Sequence, residues 1–224
     1  MLLFMRCEVT SRPLRRMLFT KRIMKLHSFA LLTGAIVALG AATQAAAPVP
    51  PEVTLQPEPV VEVETEKRWV LPRGSKIETI VLDALQERGI TDKNALATIL
   101  GNIKQESKFH PNICEGGHRV QYQHCHAGGY GLIQWTTAGR YDGLGSHAWQ
   151  IGQSPSSATA QISYIFTERE WQYIEHHMKT DGHSIGFYMN KAYYWLGWGI
   201  HGKRTNYAYN YADRLTLVEI PVTK

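Results

Sequence analysis

The sequence contains few of the patterns that mark metalloenzymes, nucleic-acid-binding proteins or repeat proteins. Its 224 residues include only three cysteines, Cys7, Cys114 and Cys125, and neither a C-x-x-C nor an H-E-x-x-H motif. It also has no basic helix, no RNA-binding signature and no internal repeat. We therefore expect no metal, no cofactor and no nucleic-acid partner. The length suits one good-sized domain with an extension.

The extension begins with a predicted secretory leader over residues 1–47. Residues 1–25 are basic, residues 29–39 are apolar, and residues 41–47 are rich in small side chains, which is the order typical of a signal peptide. The alternative is an uncleaved membrane anchor, although its alanine, glycine and threonine make a poor span. We expect cleavage near Ala45 to Ala47, only transient membrane contact, and export to the periplasm or cell envelope.

Residues 48–70 are predicted to be a flexible linker. Five prolines and five glutamates lie between residues 48 and 66, with no aromatic residue among them. Such a segment buries too little apolar surface to offset its chain entropy. The predicted folded domain follows at residues 71–224. Residues 67–224 are mildly basic, which suits an anionic polymer such as a bacterial wall.

Within that domain, Glu106 continues the apolar face of a predicted helix. The apolar positions that recur at i, i+3, i+4 and i+7 are Leu96, Ile99, Leu100 and Ile103. Glu106 follows three residues after the last of them. Partial burial disfavours a charged carboxylate and raises its pKa, which suits a general acid. The alternative is an ordinary solvated residue on the last turn.

A glycine-rich segment, GGYGLIQW, follows at Gly128–Trp135. Glycine lets the backbone approach a ligand closely, Tyr130 and Trp135 offer flat faces for sugar rings, and Gln134 offers an amide donor and acceptor. We expect a short strand or hairpin edge here. The alternative is a tight turn leading into a buried strand.

The two motifs together resemble the phage-type lysozyme domain of tail-associated muralytic enzymes, which is similar to goose-type lysozymes and soluble lytic transglycosylases. The resemblance covers roughly Ala95 to Ala212, and it includes the following TTAGRYDGL. It implies that Glu106 is the catalytic acid that cleaves the bond between N-acetylmuramic acid and N-acetylglucosamine. The residues implicated in binding glycan strands are Ser107, Tyr130, Gln134, Trp135 and Tyr207. Lys108 departs from the pattern, which would have glycine there.

This resemblance implies an α+β, mainly α-helical, lysozyme-like domain with a small β element beside the active-site cleft. Asp142 is the first candidate for a second acid, with Glu115 and Glu168 as weaker ones. A second acid across the cleft would indicate hydrolysis, whereas its absence would favour a lytic transglycosylase. Tyr207 or Tyr211 is a candidate for orienting Glu106, with aromatic packing as the alternative role.

The loop NICEGGHRVQYQHCH carries the only rival chemistry. In an oxidising compartment Cys114 and Cys125 are expected to form a disulfide, with free thiols or a zinc site involving the nearby histidines as alternatives. A cysteine–histidine or zinc-dependent wall peptidase is a minor alternative function. A non-catalytic wall-binding or structural virion protein is the main one. We expect a monomer or a virion component.

The remaining helices are predicted from caps and periodicity. Ser75 opens a capping box, and Thr91 is expected to cap the Glu106 helix. Ser154-Pro155 is expected to open the longest helix, which runs to about Met178 and has as its inner face Ile162, Ile165, Phe166 and Tyr173. The last two predicted helices span residues 184–196 and 204–217.

Overall fold

The computed structural model describes residues 64–126 and 128–222. The predicted leader, Cys7 and most of the predicted linker lie outside the described residues. The elements in chain order are β1 Thr65–Val70, α1 Lys76–Glu87, α2 Lys93–Ser107, α3 Ala138–Gln150, α4 Ala158–Ile165, α5 Arg169–Met178, α6 Ile185–Leu196, α7 Arg204–Arg214 and β2 Thr216–Pro221. This confirms the predicted mainly helical α+β class. Within the described ranges, no helix combines the length and apolar character that a membrane crossing requires.

The sheet joins the two ends of the described chain. Strands β1 and β2 pair antiparallel, with Trp69 opposite Leu217. The Trp69 indole donates a hydrogen bond of 2.8 Å to the Thr91 carbonyl, which ties the sheet to the loop before α2. The predicted linker therefore ends too late, because residues 65–70 are an ordered strand.

Local capping chemistry starts the first two helices. The predicted capping box at α1 is confirmed, since Ser75 and Glu78 bind each other's backbone N–H groups. The predicted cap of α2 is wrong by one residue. Asp92, rather than Thr91, accepts hydrogen bonds from the Asn94 and Ala95 amides.

The middle of the chain differs most from prediction. The predicted long helix is two helices, α4 and α5, separated at residues 166–168. Tyr173 is 65% exposed and so does not belong to the inner face, whereas Ile162 and Ile165 are buried as predicted. Helix α3 was not predicted, because three glycines interrupt its sequence.

Helix α7 is shorter than the sequence predicts and packs against α2. Helix α7 ends at Arg214 rather than continuing to residue 217, because the chain turns there into β2. Helix α2 packs closely against α7, and α6 also contacts α2.

The core is rich in large aromatic side chains. The largest fully buried side chains are Trp135, Trp171, Trp195, Tyr130, Tyr188 and Tyr211.

Candidate active site

Glu106 lies in the last turn of α2, at the rim of the core. The apolar face of the helix is almost completely buried, and the Glu106 side chain at its end remains 17% exposed. The helix periodicity therefore places the carboxylate between the apolar interior and solvent. This is the partial burial that the sequence predicts.

Arg204, the first residue of α7, forms an ion pair with Glu106. Its Nη2 atom lies 2.7 Å from Glu106 Oε1, and its side chain is only 5% exposed. The two helices approach each other closely, since a Cβ atom on Gly101 would lie 2.5 Å from the Ala208 nitrogen. This close approach brings Arg204 within reach of Glu106. Gln105 also accepts a 2.9 Å hydrogen bond from the Lys203 amide, which fixes the start of α7 against the end of α2.

Two opposing effects act on the Glu106 proton. Burial disfavours the carboxylate anion, whereas the Arg204 guanidinium and the more weakly acting Arg140 favour it. Burial prevails, so the pKa of Glu106 is raised above its ordinary value. The carboxyl therefore holds its proton to higher pH than a solvated glutamate does.

An open hollow of about 370 Å³ lies beside Glu106. One wall is the end of α2, and the other is the loop after it, where Ile113 and Arg119 form an isolated antiparallel bridge. The lining residues are Gln105, Glu106, Ser107, Lys108, His110, Ile113, Gly117 and Arg119. Among these lining residues of the described chain, Glu106 is the only carboxylate.

The rim of this hollow is basic. Lys108 and Arg119 line it, and the His110 ring contacts the Arg119 guanidinium. Desolvation and the nearby positive charges of Arg119, Lys104 and Lys108 lower the pKa of His110, so this ring is neutral near pH 7. A single acid surrounded by fixed positive charge suits a polymer that carries negative groups.

Lys108 turns the chain out of α2 in an unusual backbone conformation. Lys108 has φ 53° and Phe109 has φ 62°, both in the left-handed region that favours glycine. The resemblance leads us to expect glycine at position 108, and glycine adopts this conformation most readily. The lysine accepts a glycine-type backbone and contributes a side chain to the hollow.

Gln134 lies behind the loop wall of the hollow. Its Nε2 donates to the carbonyls of Gly131 at 3.0 Å and Ile113 at 3.4 Å. Ile113 itself lines the hollow, so the structure brings Gln134 to the loop opposite Glu106. Tyr130 and Trp135 exchange backbone hydrogen bonds across this turn, which is the hairpin edge that the sequence predicts.

The rings of Tyr130 and Trp135 do not offer faces to a ligand. Both side chains are 0% exposed. The Tyr130 hydroxyl lies 2.7 Å from Ser156 Oγ, and the Trp135 indole donates to Glu168 at 2.9 Å. Their predicted role as sugar platforms is wrong in this structure, because the turn directs both rings into the core.

The other polar residues predicted near Glu106 have separate positions. Ser107 is buried, and its hydroxyl donates to the Ile103 carbonyl and accepts from the Phe109 amide. The Tyr211 hydroxyl donates to Glu78 on α1, so it does not orient Glu106. Tyr207 lies on α7, three residues after Arg204.

None of the candidates for a second acid shares the hollow with Glu106. Asp142 is exposed on α3 and lines a different hollow, with Tyr141 and Thr136. Glu168 is buried and forms a bidentate pair with Arg140 at 2.7 and 2.9 Å. Glu115 accepts a 2.9 Å hydrogen bond from the Gly129 amide and so braces the glycine-rich turn.

The predicted disulfide is confirmed. Cys114 and Cys125 are joined, with their Cα atoms 5.6 Å apart. Their sulfurs therefore serve neither as zinc ligands nor as a peptidase nucleophile. Within the described ranges, no group of three or more histidine, cysteine or acidic side chains is placed to hold a metal ion.

Arg204 is the residue that sequence reasoning missed. Its signal was present, because Arg204, Ala208, Tyr211 and Ala212 follow helical spacing on one face of α7. Arg204 thus continues an apolar face just as Glu106 does. Two opposite charges at the ends of two apolar faces indicate a pair once the helices are known to pack together.

Comparison with known proteins identifies a family for most of the described chain. The sequence model of phage tail lysozymes matches residues 76–214, a range that includes Glu106, Arg204 and the glycine-rich turn. The match confirms the family resemblance predicted from the motifs. Among curated proteins, none matches the chain.

Proposed function

The chain belongs to the phage tail lysozyme family, whose role is peptidoglycan degradation, and from that premise we propose that Glu106 is the general acid that cleaves the glycan backbone. The observation that carries the proposal is a carboxyl of raised pKa at the edge of an open, basic-rimmed hollow. A protonated carboxyl there can donate its proton to the glycosidic oxygen as the bond to the leaving sugar breaks.

Arg204 is a positioning residue in this proposal. Its guanidinium fixes one carboxylate oxygen of Glu106 at 2.7 Å, which directs the carboxyl into the hollow. After proton transfer the resulting carboxylate is stabilised by the same guanidinium. The ion pair thus favours the ionised form that Glu106 has after it has donated its proton.

The single carboxylate of the hollow favours a route without a protein nucleophile. A retaining enzyme with two acids needs its carboxyl groups about 5–5.5 Å apart, and an inverting one about 6.5–9.5 Å apart. Asp142 lines a separate hollow, and Glu115 and Glu168 are held by other groups. We therefore propose that a group of the substrate itself stabilises the oxocarbenium-like centre, as in a lytic transglycosylase.

The test compares wild type, Glu106→Gln and Asp142→Asn on purified sacculi. Glu106→Gln should clear sacculi about a hundredfold more slowly or worse, because the amide has no acidic proton to donate. Asp142→Asn is the matched control, and it should clear sacculi at the wild-type rate. An equal loss of clearing rate in Glu106→Gln and Asp142→Asn would support a two-carboxylate mechanism instead. Equal clearing by wild type and Glu106→Gln would reject Glu106 as the acid.

Mass spectrometry of the released sugars identifies the reaction. Anhydro ends would support transglycosylation, and reducing ends would support hydrolysis by water. If the wild type binds sacculi but releases no sugar, the protein is a wall-binding member of the family rather than an enzyme.

A further inference from the structure

Four aromatic side chains form a continuous row that leads away from Arg204. Trp198 and Tyr193 have ring centroids 5.3 Å apart, Tyr193 and Tyr194 are 5.9 Å apart, and Tyr194 and Tyr173 are 6.1 Å apart. We call these four residues the aromatic row. Its first ring is stacked under the Arg204 guanidinium, whose carbon lies 4.7 Å from the Trp198 ring centroid.

The far part of the aromatic row is unusually exposed. Tyr193 is 48% exposed, Tyr194 is 55% exposed, and Tyr173 is 65% exposed. Within the described residues, the hydroxyls of these three tyrosines make no hydrogen bond to the protein. Their burial therefore contributes little to the fold, and their rings and hydroxyls are available to a ligand.

The row ends in a second hollow with polar walls. Tyr173 and Tyr194 line an open space of about 330 Å³ together with Arg169 and Glu170. Aromatic rings stack on the C–H faces of sugars, whereas guanidinium and carboxylate groups bind sugar hydroxyls. The mixture of exposed rings and charged side chains suits a carbohydrate better than an apolar protein partner.

We propose that the aromatic row binds the glycan strand beyond the bond that is cleaved. This inference rests on the proposed function, because the row runs from the guanidinium that holds Glu106. Its ring spacing is of the same order as the length of one sugar unit. Adjacent rings meet edge to face at 65–79°, so successive sugars would contact alternating ring faces and hydroxyls.

The test uses the double variant Tyr173→Ala/Tyr194→Ala in the full chain. The substrates are long glycan strands freed of peptides and a short fragment of two disaccharide units. For the long strands we expect KM to rise about tenfold with kcat unchanged, since two stacking contacts are lost. For the short fragment both constants should equal those of the wild type, because it does not reach the far end of the row.

Tyr209→Ala is the matched control, since Tyr209 is 56% exposed and belongs to none of the ring contacts of the described chain. It should behave as wild type on both substrates. Wild-type cleavage of long strands by the double variant would overturn the proposal, as would equal losses on both substrates. Loss of a wild-type dimer in the double variant would also overturn it, because the row would then be a subunit interface.

Co-sedimentation with sacculi in the Glu106→Gln background separates this proposal from the proposed function. If the double tyrosine variant weakens binding there, the aromatic row is a glycan site whether or not Glu106 is the acid. If binding is unchanged, the row has no such role even when Glu106 is required for cleavage.

Discussion

At the residue scale, burial and an opposite charge act in opposite directions on the pKa of Glu106. Burial raises the pKa of Glu106, and the positive charge of Arg204 lowers it. Arg204 Nε and Nη1 have no hydrogen-bond partner in the described chain, and the guanidinium is instead stacked on Trp198. The arginine is therefore held mainly by Glu106 and one indole ring, so its effect on the proton can be isolated by substitution.

Replacing this arginine should shift the pH dependence of cleavage. A general acid loses activity as pH rises through its pKa, so the alkaline limb of the kcat/KM profile reports Glu106. Arg204→Met removes the nearest positive charge and leaves only the weaker effect of Arg140 against burial, so the limb should move upward by roughly one pH unit or more. Arg204→Lys is the control and should leave the limb near its wild-type position. An unchanged limb in Arg204→Met would contradict the coupling.

At the scale of elements, the contact between α2 and α7 builds the site. Both helices carry an apolar face that ends in a charged residue, and Gly101 lets their backbones touch.

Glycines also allow close packing of helix α3. It was hard to predict because of its glycines, yet side chains on Gly143 and Gly145 would collide with the hydroxyls of Tyr164 and Tyr122. These glycines serve packing rather than chain reversal.

Gly101→Ala should separate the two helices. A Cβ there would lie 2.5 Å from the Ala208 nitrogen and 3.0 Å from the Arg204 carbonyl, so we expect a loss of about 1–3 kcal/mol in the free energy of unfolding. The kcat should also fall where the variant is folded, because Arg204 moves away from Glu106. Denaturant titration and initial rates measure both effects.

Gly139→Ala provides the comparison. Gly139 is an exposed helical glycine, and a Cβ atom added to it would meet no other atom within 4 Å. Alanine there should therefore be neutral or stabilise the fold by up to about 1 kcal/mol. Similar stability of the two variants would show that the helices do not depend on close backbone contact.

At the scale of the whole molecule, long-range links hold a site built from distant parts of the sequence. The β1–β2 sheet joins the ends of the described chain, and the Tyr211 hydroxyl links α7 to Glu78 on α1. The Cys114–Cys125 disulfide links two positions of the loop that faces Glu106. The bridge adds to hydrogen bonds that also hold this loop, such as those from the Val120 amide to the Asn112 carbonyl and from the Tyr122 amide to Ser156 Oγ.

Removing the bridge should weaken both the fold and the site. Cys114→Ala/Cys125→Ala opens a loop closed over a sequence separation of 11, so we expect a loss of about 2–4 kcal/mol in the free energy of unfolding. The KM for sacculi should rise, because Ile113 and Arg119 form the far wall of the hollow. Reductant should reproduce these effects in the wild type and change nothing in the double variant. Equal stability of oxidised wild type and double variant would contradict the role of the bridge.

The sequence by itself determined the features that depend on neighbours along the chain. These are the helical face that ends at Glu106, the capping box at Ser75, the cysteine pair and the glycine-rich turn with its family resemblance. The tertiary structure alone decided that Arg204 faces Glu106, that Tyr130 and Trp135 are buried, and that Asp142 lies in another hollow. Periodicity sets which side of a helix is apolar, but the partner of that side depends on how distant elements pack. That packing depends on close backbone contacts and hydrogen bonds between residues far apart in sequence.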